Sequence, residues 1–540
     1  MIRKKAIALL CLAALSLCFS SWADEYRVEP APGALPEKSK TVQTVYSGAA
    51  VEKDFSRSTL LRAPAPEEYV YADNGVFTFR GDNWRRNAAY GNAPIAEGKM
   101  EILWKYPLGS LSTKDSGKLY GVGWGSQPAI VKWPYEIRRM MCLKEEAKNV
   151  PGLKEVIFTA QDGKVYFLDL LTGVPTRDEI RVGYPLRGSV TVDPASRPMI
   201  GFGQSVSKLS NGKTGPIGYY VYELINGEQL FFLNGRASDE QKQYSTNGAF
   251  DGTGLFLSQS MGDALVLGGE NGLLYTVDLN TQFDYLTDTS LTVSRRIHYL
   301  RVKDGGEKET RTTMESSPAM AGKYVFTADG WGILRCVDTD SMQVMWSFDS
   351  GDNTDAAVAL DREQDGGLSL YTGNTVFDRL KKKKTATIRK LNALTGEEEW
   401  HYDVPCVYNK SELSGCKASP VIGENSVADL VFFTVNMTEK GKTSALLALD
   451  KASGELRWQM NMDSTAVSSP VAVYNEQGNA WIIQADESGL VHLLDAAVGV
   501  EIASLQLEGA VTASPAVYED ILVLGTGSKA GAYMYGIRLR

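Results

Sequence analysis

Five polar residues recur at one position of a sequence repeat: Arg187, Asn247, Glu315, Asp355 and Lys417. Each stands three residues before the place that proline takes in the motif Ser-Pro, so we expect all five around one mouth of a common channel. Mixed charges that converge in a concavity are typical of a small-ligand or metal site. The pattern therefore predicts a site for an anionic or polyhydroxy ligand, or for a divalent cation held by Glu315 and Asp355. The alternative is a solvated channel in which these charges pair with one another.

An aromatic residue, Trp124, lies beside this predicted ring, because Gly125 takes the equivalent position in the first repeat. Such a side chain can stack on a ring-shaped ligand, although packing in a core is its commoner role. The sequence contains no Gly-x-Ser-x-Gly motif and no phosphate-binding loop, and its 3 histidines are scattered. It therefore predicts no catalytic residue and no zinc site.

Two cysteines, Cys406 and Cys416, are close enough in sequence to close a short surface loop as a disulfide. An exported protein would permit this bond. Free thiols are the equal alternative, because sequence alone does not fix the connectivity of cysteines.

The elements that must position these residues come from a repeat of about 40 to 60 residues, a period typical of propellers and arrays. A unit opens with Ser-Pro and an apolar alternation, passes a Gly turn, and then reads Leu-x-x-Leu-Asp, Thr-Gly-Glu and Trp. The clearest copy spans residues 419–458. Eight such openings can be counted, and each unit has the period-two alternation of a four-stranded meander. The sequence predicts an all-β fold, an eight-bladed β-propeller of four-stranded antiparallel blades.

The repeated motif has a local physical role. The Asp before Thr-Gly can accept hydrogen bonds from the amides of the turn, and the Trp of the outermost strand can pack between neighbouring sheets. The last unit, which ends at Arg540, lacks its Thr-Gly-Glu-x-x-Trp segment. We expect residues 102–106 to supply the missing fourth strand and to close the ring, which removes its exposed edges.

The N-terminal segment bears on where the protein is located, and the net charge bears on its partners. Residues 1–23 have the basic start, short apolar run and small residues of a cleavable signal peptide. Residues 24–74 are rich in Pro, Ala, Glu and Ser and are predicted to form an extended linker or arm before the propeller at 75–540. The net charge of −9 argues against nucleic acid as a partner. We expect a soluble mature protein in the periplasm or outside the cell.

Residues 79–83, 87–91 and 103–106 resemble the opening sequence of PQQ-like repeat proteins, the quinoprotein alcohol dehydrogenase-like superfamily. Non-enzymatic members of this superfamily use the propeller as an interaction scaffold, and the dehydrogenases bind pyrroloquinoline quinone (PQQ) and calcium at its axis. By this resemblance Asn374, in Tyr-Thr-Gly-Asn, matches a calcium-coordinating amide of the enzymes.

Other parts of the enzyme site are absent from the sequence. It has no pair of adjacent cysteines to cover the quinone, no Asp in residues 405–414, and no Glu in residues 213–217. We therefore expect an exported non-catalytic propeller that binds a protein or another component of the envelope or of the extracellular space, without a cofactor. The alternative is a PQQ- and calcium-dependent dehydrogenase of alcohols or sugars.

Overall fold

The computed structural model describes residues 26–69, 75–236, 247–259, 262–284, 290–306, 312–409, 414–438 and 443–540. Antiparallel sheets are arranged around an axis as an eight-bladed β-propeller, as the repeats predict. The predicted signal peptide, residues 1–23, lies outside the described residues.

The first half of the ring contains blades 1 to 4, and the strands of each blade follow one another from the axis outward. Blade 1 consists of Ala129–Val131, Glu155–Ala160, Lys164–Asp169 and Ile180–Arg181. Blade 2 consists of Thr191–Val192, Met199–Gly203, Gly218–Glu223 and Gln229–Asn234. Blade 3 consists of Leu255–Gln259, Gly262–Gly268, Leu273–Asp278 and Arg296–Lys303. Blade 4 consists of Ala319–Ala321, Tyr324–Ala328, Ile333–Asp338 and Gln343–Asp349.

The second half contains blades 5 to 8, with their strands in the same order. Blade 5 consists of Ala359–Arg362, Leu368–Gly373, Thr385–Asn392 and Glu398–Pro405. Blade 6 consists of Val421–Ile422, Leu430–Asn436, Ser444–Asp450 and Leu456–Met462. Blade 7 consists of Val471–Tyr474, Ala480–Ala485, Leu490–Asp495 and Glu501–Gln506. Blade 8 consists of Ala516–Tyr518, Ile521–Gly525, Tyr533–Leu539 and Met100–Pro107.

Two short α-helices, Tyr135–Met140 and Glu145–Lys148, lie between the first two strands of blade 1. In the part of the chain that the structure describes, no helix has the length and apolarity that crossing a bilayer requires.

The core lies between the faces of adjacent blades. Every residue of Glu155–Ala160, the second strand of blade 1, is buried, because this strand is covered on both faces. The outermost strands have one face exposed to solvent. Exposed residues therefore dominate Leu456–Met462, the outermost strand of blade 6. This difference explains why the middle strands read as apolar runs and the outer strands read as alternations.

Tryptophans of the outermost strands join neighbouring blades. Trp458 of blade 6 donates its indole N–H to the carbonyl oxygen of Ala496 in blade 7 at 3.0 Å. Its ring lies directly against Gly499, where a Cβ atom would come within 2.5 Å of the ring. Four such contacts are present in the described residues, made by Trp104, Trp346, Trp400 and Trp458. The preceding turns are capped as predicted, since Asp450 accepts from the amides of residues 452 and 453.

The ring closes through the N-terminal strand, as the sequence predicts. Met100–Pro107 pairs in antiparallel register with Tyr533–Leu539, the third strand of blade 8. Trp104 lies opposite Gly536 in this pairing and donates to the carbonyl oxygen of Leu170 in blade 1. The strand therefore completes blade 8 and also fastens it to the next blade.

The described part of the arm, residues 26–69, runs along blades 3 to 5. Val42–Ser47 pairs with the outermost strand of blade 3 as a fifth strand, and Ala50–Glu52 follows it as a sixth. The amide of Glu29 donates to the carbonyl of Leu394 in blade 5, and Ala63 pairs with Gly322 in blade 4. The arm thus covers part of the outer rim.

A segment at residues 75–90 closes one end of the axial channel, and we call it the plug. Its backbone joins the first strands of blade 1 through Gly75–Val76 and of blade 8 through Ala89–Tyr90. Carbonyl oxygens of the plug accept from first-strand amides of blades 2, 4, 5 and 6, and its side chains bond blades 3 and 7. The plug therefore contacts all eight blades.

Candidate functional site

Equivalent residues at the blade openings, which we call the serine ring, surround the axis, and at five of the eight junctions a serine hydroxyl accepts the amide of the preceding blade. The equivalent residues of the eight blades are Gln127, Ser189, Thr253, Ser317, Ala357, Ser419, Ser469 and Ser514. The amide of Ser419 donates to the hydroxyl of Ser469 at 3.0 Å, and the amide of Ser469 donates to that of Ser514 at 3.1 Å. Serine suits this position because its small hydroxyl can accept the amide of the preceding blade.

Above this ring lies a small inner chamber of about 20 Å³, with Phe79 of the plug on its lining. Its polar walls include Trp124, Asp251, Glu315, Asp355 and Lys417. The position of each charged side chain follows from the fold, because each stands two residues before the serine-ring position of its own blade.

A larger outer chamber of about 310 Å³ shares Trp124 and Lys417 with the inner one. It is also lined by Lys118, Tyr120, Gln161 and Arg187. The Lys417 ammonium lies over the Trp124 ring, 4.1 Å from its centroid. The Arg187 guanidinium lies 3.8 Å from the Asp251 carboxylate, which belongs to the inner chamber. The two chambers therefore adjoin each other at Trp124 and Lys417, and we call them together the axial pocket.

The structure brings five of the six sequence-predicted pocket residues together on these walls. They are Trp124, Arg187, Glu315, Asp355 and Lys417.

The register predicted for the third repeat was wrong by four residues. Asp251 takes the place assigned to Asn247, because blade 3 opens at Thr253 rather than at Ala249-Phe250. Asn247 instead donates to the carboxylate of Glu270. Glu270 comes from the turn between the second and third strands of blade 3, so the alignment of blade openings could not reveal it. The Asp-Gly pair directly before Thr253 is the sequence pattern that could have located the opening of blade 3.

Burial and the repulsion between neighbouring acids shift Glu315, Asp355 and Glu270 toward their neutral forms. Desolvation, followed by the charges of Asp355 and Asp251, raises the pKa of Glu315 to about 8. Lys417 and Arg187 oppose this shift. Desolvation also raises the pKa of Asp355, and it raises that of Glu270 well above the ordinary value. Because these acids hold protons, the pocket favours a ligand whose positive charge can replace the protons.

Several buried oxygens near the pocket have no hydrogen-bond partner among the described residues, and three of them belong to pocket residues or their direct neighbours. These three are Oδ2 of Asp355, Oε1 of Glu270 and Oε1 of Gln161. Asp355 is 5% exposed and Gln161 is 7% exposed, and both line the pocket. A buried acceptor without a donor is costly, so each of these oxygens marks a place for a donor from a ligand or from water.

The surroundings of Asn374 do not fit the calcium of the dehydrogenases. The Asn374 side-chain oxygen already accepts from the amide of Thr387 at 3.1 Å and from the Arg389 guanidinium at 3.0 Å. A cation at that oxygen would face the arginine charge. Asn374 is also not among the residues that line either chamber. Across the described residues, no group of three or more His, Cys, Asp or Glu side chains is placed to hold a metal ion.

The disulfide predicted between Cys406 and Cys416 is not formed in the structure, which has both residues as buried free thiols. Both side chains belong to one apolar cluster between blades 5 and 6. Desolvation raises the pKa of the Cys406 thiol to about 11, so the reactive thiolate form is strongly disfavoured.

Comparisons with known proteins agree with this architecture. A family model described as outer membrane protein assembly factor BamB matches residues 442–535. The outer membrane protein assembly factor BamB of Yersinia pestis is 25% identical over 151 residues, which are 28% of this chain and 33% of that protein. The match thus spans about a third of the length of this curated relative.

Two solved structures show the same fold over most of the chain. The quinohemoprotein alcohol dehydrogenase of Comamonas testosteroni is 12% identical, with a TM-score of 0.56, over 88% of this chain and 82% of that one. The quinohemoprotein alcohol dehydrogenase ADHIIG of Pseudomonas putida HK5 is 11% identical, with a TM-score of 0.55, over 89% and 83%. The fold and pocket define a closed propeller with a polar axial site. More particularly, the chain has the eight-bladed propeller fold of these two structures, and its residues 442–535 match the BamB family model.

Proposed function

We propose that this protein is an exported, non-catalytic binding module that holds a protein partner of the cell envelope. The observation that carries the proposal is the family match at residues 442–535, which covers blade 7 and parts of blades 6 and 8. The matched family is named for the assembly of outer membrane proteins, so the partner we expect is a component of that assembly machinery.

The matched blades also carry exposed apolar side chains on adjoining elements. Val498 is 58% exposed and Val500 is 61% exposed, on either side of Gly499 in the turn of blade 7. Leu456 and Ile502, on the outermost strands of blades 6 and 7, are exposed as well. Trp458 packs on Gly499, so these strands and the turn adjoin one another. Grouped exposed apolar side chains are a common mark of a protein-binding surface.

A binding role also agrees with the axial chemistry. The alternative, a PQQ- and calcium-dependent dehydrogenase, needs a free amide oxygen at Asn374, and that oxygen already accepts two hydrogen bonds. The net charge of −9 disfavours nucleic acid as the partner.

A binding experiment with purified assembly components of the same host tests the proposal. We expect one of them to bind the wild-type protein, and we expect Val500→Glu to weaken that binding at least tenfold, because a charge would then be buried in an apolar interface. Tyr135→Glu is the matched control, since Tyr135 is also exposed but lies in blade 1, outside residues 442–535. It should bind like the wild type.

Two results would count against this function. Binding to none of the components would remove the proposed partner. Oxidation of alcohols or sugars by the protein supplied with PQQ and calcium, with an artificial electron acceptor, would support the dehydrogenase instead. Export is checked separately, because N-terminal sequencing of the protein recovered from the host should start at Asp24.

A further inference from the structure

The two chambers of the axial pocket carry opposite charge. The inner chamber is lined by three carboxylates, Asp251, Glu315 and Asp355, against the single ammonium of Lys417. The outer chamber is lined by Lys118, Arg187 and Lys417, and its described lining includes no carboxylate. A ligand that extends from one chamber to the other therefore meets acids at its inner end and bases at its outer end.

Neutral polar groups in both chambers can form hydrogen bonds with the hydroxyl groups of a ligand. Ser317, Ser419, Ser469 and Ser514 line the inner chamber, and each hydroxyl oxygen accepts a backbone amide. A hydroxyl that accepts one bond still has a proton to donate. In the outer chamber the buried Oε1 of Gln161 lacks a donor. The Trp124 ring lines both chambers, and one of its two faces lies under the Lys417 ammonium.

We propose that the axial pocket binds a small polyhydroxy zwitterion, with its ammonium group in the inner chamber and its anionic group in the outer chamber. The ammonium group donates to the unpartnered Oδ2 of Asp355 and lies beside Glu315. The anionic group accepts from Arg187, and the ring of the ligand stacks on Trp124. This ligand site is separate from the partner surface on blades 6 and 7.

An organic cation fits the inner chamber better than a metal ion does. The acids of this chamber form no group placed to hold a metal ion, according to the geometry of the described residues. An ammonium group needs only one or two well-placed oxygens and keeps its other contacts with hydroxyl groups. Its charge also replaces the protons that the crowded acids hold, so its binding should release protons to the solvent.

Four related sugars test the contributions of the two ligand charges separately. Muramic acid carries both an ammonium and a carboxylate, glucosamine only the ammonium, N-acetylmuramic acid only the carboxylate, and N-acetylglucosamine neither. We expect calorimetry on the full mature chain at pH 6.5 to show that muramic acid binds most tightly. Loss of either charge should weaken binding about tenfold, because one charge-assisted contact is lost. The heat measured with muramic acid should differ between two buffers of different ionisation enthalpy, because protons are released.

Two variants assign each charge to its chamber. Glu315→Gln should weaken the binding of muramic acid and of glucosamine about tenfold and leave the binding of N-acetylmuramic acid unchanged. Arg187→Gln should weaken the binding of muramic acid and of N-acetylmuramic acid and leave the binding of glucosamine unchanged. Asp365→Asn, in an exposed turn, is the control and should match the wild type for all four sugars.

The wild-type comparison alone decides the proposal if a variant fails to fold. Equal binding of the four sugars, binding of none of them, or binding of calcium with no binding of muramic acid would overturn it. None of these results depends on whether an envelope protein binds at blades 6 and 7, so the two proposals can fail separately.

Discussion

At the scale of single residues, Glu315 should make the stability of the protein depend on pH. Its folded-state pKa of about 8 is above the ordinary value of 4.5, so the folded protein binds more protons than the unfolded chain between these pH values. The stability that this pKa shift contributes is fully present below about pH 4.5 and is lost as the pH rises through 8. Denaturant unfolding at pH 5 and pH 8.5 should show a decline on the order of a few kcal/mol, part of which Glu315→Gln removes.

Desolvation is the largest cause of this pKa shift, and four charged groups around Glu315 modify it. Asp355 and Asp251 raise its pKa, and Lys417 and Arg187 lower it. The control is Glu476→Gln in the turn between the first two strands of blade 7, which should decline with pH in parallel with the wild type. A parallel decline of Glu315→Gln as well would contradict the assignment.

The pocket could be predicted from sequence wherever a residue occupies a fixed place in the repeat. Glu315, Asp355 and Lys417 precede clear repeat openings, so their convergence followed from alignment alone. Asp251 was missed because Thr253 replaces the serine that marks the other openings. Glu270 and Gln161 come from turns between second and third strands, where no motif fixes the direction of a side chain. The hydrogen bonds that occupy Asn374 depend on Arg389, and no local pattern reveals them.

At the scale of elements, the contact of Trp458 with Gly499 should stabilise the junction of blades 6 and 7. Gly499 has a φ of +71°, and an added Cβ would come within 2.5 Å of the indole ring. Gly499→Ala should therefore lower the free energy of unfolding by about 1–3 kcal/mol beyond the cost of its positive φ. Guanidinium unfolding, followed by circular dichroism, measures the loss.

A second glycine isolates the contribution of this contact. Gly366 has a φ of +87° with no atom within 4 Å of an added Cβ, so Gly366→Ala carries only the backbone strain. If the two alanine variants lose equal stability, the tryptophan contact contributes nothing. The contact itself could be predicted, because the Asp, Thr-Gly and Trp of each unit have fixed local spacing. The pairing of Val42–Ser47 with blade 3 could not, because its partner strand, Arg296–Lys303, is far away in the sequence and nothing in the arm specifies an edge.

At the scale of the whole molecule, the plug makes the ring one cooperative unit. A propeller blade contacts mainly its two neighbours, so damage in one blade could in principle remain local. The plug changes this, because the single segment 75–90 bonds the first strands of all eight blades. Within it the buried Arg80 guanidinium donates to the carbonyl of Pro470 at 2.7 Å and to that of Pro420 at 3.0 Å.

Replacing this arginine should therefore weaken blades that it does not touch. Arg80→Ala leaves two buried carbonyls without donors and opens a cavity, so we expect a loss of about 3 kcal/mol. Because the plug seats against every blade, hydrogen exchange should accelerate in the middle strands of blades 2 and 3 as much as in blades 6 and 7. Arg27→Ala, at a side chain that is 85% exposed, is the control and should change neither quantity. Faster exchange confined to blades 6 and 7, which hold Pro420 and Pro470, would mean that the blades unfold separately and that the plug only fills the channel.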